Sequence, residues 1–125
     1  MAGLREALEE SPVPESEIRE LLTIFDPDGL GALVGASPSS LRRYALGARA
    51  APDEIAARIH WLAKVVGDLR GAYNDAGVKR WFDRRRTQLG DRPPRALLLG
   101  EWDPEDEGPR SVRMLAQGLA GGGAT

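Results

Sequence analysis

One stretch of this chain carries a helical pattern long enough to organise a fold around it. From Asp53 to Leu69, Ile55, Ile59, Leu62, Val66 and Leu69 recur at spacings of three and four, without a proline. That places them on one face of a helix of nearly five turns. The stripe serves either as the core of the molecule or as a dimer seam. Every other apolar cluster is shorter and bounded by proline or glycine, so the remaining elements are short helices gathered around this one.

Before it, Leu4, Ala7 and Leu8 mark a short helix that Ser11-Pro12 interrupts. A second, with Ile18, Leu21, Leu22 and Phe25, is expected to run from Ser16 to Asp26-Pro27, because the residue before a proline avoids the helical region. Leu30, Leu33 and Val34 then form one short helix ended by Gly35. Ser37 is placed to cap the next, with Pro38 at its first position and Leu41, Tyr44 and Ala45 on its inner side, and Gly47 ends it. Two short helices meeting at a corner of about three residues, the second with polar and basic outer positions, is the helix-turn-helix arrangement.

Beyond the long helix, Asn74 or Asp75 restarts a helix bearing Val78, Trp81 and Phe82, which the run RRRTQLGDRPP terminates. Pro93-Pro94 opens a short helix through Leu97, Leu98 and Leu99, stopped by Gly100. An acidic loop spans Glu101 to Gly108, and Val112, Met114, Leu115 and Leu119 fit a last short helix. No alternating strand pattern and no long-period repeat occurs. The expected fold is all-α: a helix-turn-helix bundle followed by a small helical domain. The expected divisions are an acidic extension over 1–27, the helix-turn-helix region with its long following helix over 28–72, a C-terminal domain over 73–119 and a flexible tail over 120–125.

The net charge of −2 conceals a strong segregation. Residues 1–28 set Arg5 and Arg19 against eight carboxylates, whereas residues 29–50 hold Arg42, Arg43 and Arg49 with no acid. The first segment repels phosphate and the second can approach it. A second basic run, Lys79 to Arg95, carries seven cations against Asp83 and Asp91. It serves either solubility and internal pairing or a binding surface. No apolar run reaches the ~20 residues of a membrane span, and the opening MAGLREALEE does not resemble a signal peptide, so a cytoplasmic protein with no membrane association is expected.

Catalytic chemistry is not expected. The chain has no cysteine, and its one histidine, His60, lacks a visible base-and-orienter partnership. The carboxylates of EWDPEDE lack the spacing of a calcium loop. No metal or cofactor is expected. The candidate DNA-binding residues are Ser37, Ser39, Ser40, Arg42, Arg43 and Arg49, since an arginine fork grips phosphate or guanine with paired hydrogen bonds. The competing use of this segment is a packing hairpin with solvated arginines.

The segment VKRWFDRRRTQLGDRPPRALLLGEWDP, with the following SVRMLAQGL, is similar to the toxin-binding domain of the Xre/MbcA/ParS-type antitoxin family. The matching positions are Trp81-Phe82, Leu89-Gly90, Pro94, Leu97-Leu98 and Gly100, with Val112 and Leu115 on the last helix. Together with the helix-turn-helix the resemblance covers roughly residues 28–119. It departs at Arg84, Arg85 and Arg86, where members commonly carry proline-asparagine, and residues 1–27 have no counterpart. The resemblance implies an antitoxin that binds a RES-domain, NAD-degrading toxin, occludes its active site and represses its own promoter. A dimer or higher oligomer is expected, because helix-turn-helix proteins commonly read paired half-sites.

On that reading the candidate partner-binding residues are Trp81, Arg84, Arg85, Arg86, Trp102, Leu119 and Thr125. Trp81 has a stronger competing reading as a core residue of the C-terminal domain. Trp102 either tucks onto the last helix or anchors a partner, and the tail is either a frayed end or enters a toxin cleft. The rival functions are a stand-alone helix-turn-helix regulator and a protein-binding adaptor that does not touch DNA.

Overall fold

The computed structural model describes residues 14–122, with side chains to residue 119. The expected first helix around Leu4 to Leu8 and residues 123–125 of the expected tail, Thr125 included, lie outside them, whereas 120–122 belong to the last helix. Among the described residues there are six α-helices and no strand, as the all-α reading requires. They are α1 (Pro14–Leu21), α2 (Pro27–Val34), α3 (Pro38–Ala45), α4 (Asp53–Leu69), α5 (Asp75–Trp81) and α6 (Glu107–Gly122). Two 3₁₀ turns, Thr87–Leu89 and Pro94–Leu97, fill the stretch between α5 and α6. None of the described helices is long and apolar enough to cross a membrane.

Helix starts follow the local chemistry closely. α1, α2 and α3 each begin on proline, which has no N–H to leave unpaired and holds φ near the helical value. Asp26, Ser37 and Asn74 cap α2, α3 and α5, each side-chain oxygen accepting the backbone N–H three residues on. Gly35 closes α2 with φ 79°, and its N–H reaches back to the Gly31 carbonyl. Gly31 is also confined, because a Cβ there would collide with the carbonyl oxygen of Ala36. The corner from Gly35 to Ser37 is thereby drawn tightly under α2.

Three expected boundaries are corrected. α1 ends at Leu21 rather than near Asp26, and residues 22–25 wind on as turns. Thr23 and Ile24 donate to carbonyls only three residues back, and the Thr23 hydroxyl also donates to Glu20 O at 2.6 Å. This local competition tightens the chain out of the α-helix. Pro94 opens a 3₁₀ turn that stops at Leu97, leaving Leu99 exposed. The last helix starts at Glu107, inside the expected loop, since a proline such as Pro109 is tolerated in a first turn where no N–H bond is needed.

The core is one continuous cluster. It runs from Ile18 and Leu21 of α1 through Leu30, Leu41 and the whole Ile55–Leu69 stripe of α4 to Trp81, Leu98, Val112 and Ala116. It crosses the expected division at residue 72 without interruption. α4 packs on α1, α2 and α6, and α1 also packs on α3, so the long helix is the shared wall of both halves. Within this chain its stripe is therefore core.

Candidate nucleic-acid interface

α3 is amphipathic: Leu41, Tyr44 and Ala45 face inward, and Ser39, Arg42 and Arg43 face out. Its seat is fixed from below, because Arg19 of α1 donates from Nη1 to the Ala45 carbonyl at 2.7 Å, closing the C-terminal end of the helix. The serines at the other end are engaged with one another. Ser37 Oγ accepts from the Ser40 N–H at 3.1 Å and donates to Ser40 Oγ at 2.9 Å, and Ser39 Oγ lies 3.4 Å away. Ser37 and Ser40 thus hold the cap, and Ser39 is the most available of the three.

Arg42 and Arg43 are exposed, and neither forms an ion pair among the described residues. Leu46, one turn further on, is 77 % exposed. Arg49 is exposed as well but sits in the loop after α3. There it borders a recess of about 210 Å³ shared with Pro14, Glu15 and Tyr44. The structure therefore brings Arg42 and Arg43 together on one outward helical face, with Arg49 at its α1 side.

The second basic run behaves differently. Arg95 pairs with Asp83 at 2.9 Å, Arg92 donates to Leu89 O at 3.0 Å, and the Arg86 guanidinium lies over the Trp81 ring at 5.1 Å from its centroid. Arg86 and Arg92 also form an isolated antiparallel bridge. These three arginines shape the loop, whereas Arg84 and Arg85 are exposed and form no ion pair among the described residues. Leu119 is half-buried against the core.

Both tryptophans offered as partner anchors are core residues: Trp81 takes the core alternative, and Trp102 packs inward on α2 and α4 rather than anchoring a partner from the surface. Trp81 is 2 % exposed and meets Phe82 edge-to-face, with Phe82 in turn against Phe25. Trp102 is 5 % exposed. Its indole N–H donates to the Leu33 carbonyl at 2.8 Å, and its ring crosses Trp61 edge-to-face at 4.9 Å. A large ring flanked by acids finds both its apolar bed and its hydrogen-bond acceptor in α2 and α4, and that combination outweighs exposure.

The decisive residue missed by the sequence reading is Arg58 on α4. It is 5 % exposed, and no carboxylate among the described residues pairs with it. Its Nε donates to Trp102 O at 2.7 Å and its Nη1 to Val34 O at 3.1 Å, with the guanidinium 5.9 Å from the Trp102 ring centroid. Arg58 and Trp102 together satisfy the last two carbonyls of α2, where the helix dipole favours a cation. A signal was available: position 58 is three residues from Ile55 and four from Leu62, inside the apolar stripe.

His60 Nδ1 lies 2.8 Å from Glu17 Oε2, joining α4 to α1. No group of three or more histidine, aspartate or glutamate side chains among the described residues is arranged to hold a metal ion. Comparison of the chain with protein families, with curated proteins and with solved structures gives no match.

Proposed function

We propose that this protein is a DNA-binding antitoxin: it contacts its own promoter through the α2–α3 helix-turn-helix and neutralises a RES-domain toxin through its C-terminal half. The observation that carries the DNA half is the outward pair Arg42 and Arg43 on a helix whose inner face and both ends are fixed, free of carboxylate partners among the described residues. Cations held this way on a rigid element are suited to phosphate contact, with base reading left to few side chains. The partner half rests on the resemblance. In support, its marker residues occupy fold-determining places: Trp81 and Leu98 in the core, Pro94 opening a turn, Gly90 and Gly100 at left-handed φ. With both tryptophans buried, the toxin-facing candidates narrow to Arg84, Arg85 and the end of α6.

The burial of those two anchors favours one alternative, a stand-alone regulator whose C-terminal half only braces the DNA-binding corner. Two measurements separate the readings. Binding to the fragment upstream of its own gene is expected to weaken with salt. Arg42→Ala with Arg43→Ala should lower the slope of log K against log salt by roughly 2, at about 0.9 per phosphate contact. An unchanged slope ends the DNA assignment. Co-purification with the product of the adjacent gene, lost on Arg84→Glu with Arg85→Glu, supports the antitoxin. No complex with wild-type protein leaves the regulator.

A further inference from the structure

A groove of about 700 Å³ opens between α1, α4 and α6, on none of the residues used above for DNA or toxin. Its floor is apolar, with Ala56, Ala57 and Trp61 from α4, and Met114 of α6 stands over it 71 % exposed. Lys64, Arg110 and Arg113 line it, and none of them has a carboxylate partner among the described residues. Of the acids that line it, Glu17 is held by His60. Asp53 lies at the start of α4, about three turns from Lys64. Glu105 sits at the α6 end.

We propose that this groove is the docking site for the chain's own first thirteen residues. The chain enters beside it: Pro14, the first described residue, lines the groove, and it also borders the smaller recess next to Arg49. The preceding sequence has the matching chemistry. Leu4, Ala7 and Leu8 fall on one helical face for the apolar floor, and Glu6, Glu9 and Glu10, against a single Arg5, suit the unpaired cations. Ser11-Pro12 allows the reversal between this segment and α1. A ten-residue helix is about 15 Å long, enough to cross between two packed helices whose axes lie ~8–10 Å apart. Docked there, the segment covers Met114.

Hydrogen exchange on the full-length protein tests this directly. Amides of residues 4–10 are expected to exchange about tenfold or more slowly than in a random chain, independent of protein concentration. Lys64→Glu with Arg110→Glu, both at exposed positions, should return them to within about twofold of the random-chain rate while α4 amides stay protected. Leu4→Asp with Leu8→Asp should do the same without touching the groove. Random-chain exchange in the wild-type protein overturns the proposal. So does protection that grows with concentration, which would mean a second copy fills the groove. Protection lost instead in Arg42→Glu with Arg43→Glu also overturns it, placing the segment on α3.

Discussion

Arg58 and the pair Arg42–Arg43 are the same residue type on adjacent helices, yet their circumstances are opposite. Arg42 and Arg43 stand in water without partners among the described residues, while Arg58 is enclosed and bonded to two carbonyls. The difference lies in what each helix face meets. The outer face of α3 meets nothing within the described chain, whereas position 58 faces the end of α2, where carbonyl groups have lost their helical donors. An arginine there replaces water with fixed acceptors and joins three segments: α2, α4 and the loop before α6. Stability should therefore depend on the enclosed arginine, and the proposed DNA contact on the exposed ones.

The contrast can be broken or sharpened by substitution, and the largest effect is expected beside Arg58. Trp102→Ala removes a ring from the core and strips Leu33 O of its donor, and should lower unfolding free energy by about 3–5 kcal/mol in a denaturant titration. Arg58→Met keeps much of the volume but leaves the Val34 and Trp102 carbonyls unpaired, for a loss of about 2–4 kcal/mol. A loss under about 0.5 kcal/mol would show that water replaces the guanidinium and that the junction does not depend on it. Gly35→Ala places a methyl at φ 79° and 3.2 Å from Arg58 Nη1, so about 1–2 kcal/mol is expected, read as a fall in thermal midpoint. Ser37→Ala removes the α3 cap and should cost about 1 kcal/mol. Smallest of all, Arg42→Ala with Arg43→Ala should leave stability within about 0.5 kcal/mol of wild type. A larger loss would place those side chains in the packing of α3 rather than in binding.

Local chemistry made much of this fold legible in advance. Ser37, Pro38 and Asn74 announced their helix starts, Gly35 its helix end, and the α4 stripe marked the core, because each acts through neighbours three or four residues away. Arg58 went unnoticed, and Trp102 stayed open between packing and partner binding, for the converse reason. Their acceptors lie 24, 44 and 69 residues away, and no window of sequence joins a cation in an apolar stripe to a carbonyl at that separation. The end of α1 was misplaced because Leu22 and Phe25 continue the apolar spacing while Thr23 diverts the backbone. The outward arginines of α3 were readable from periodicity alone. The groove was not, since its walls come from three helices far apart in the chain.

The crossed indoles of Trp61 and Trp102 lie at 67° to one another with centroids 4.9 Å apart, at the seam where the loop before α6 meets α4. Two chromophores that close and that oblique share their electronic excitations, which gives a paired circular-dichroism signature absent from either alone. Trp81 is remote from that pair in sequence and paired with Phe82 instead. Separation of the seam would therefore extinguish one optical signal and spare the other, so the molecule reports on its own joint without any added label.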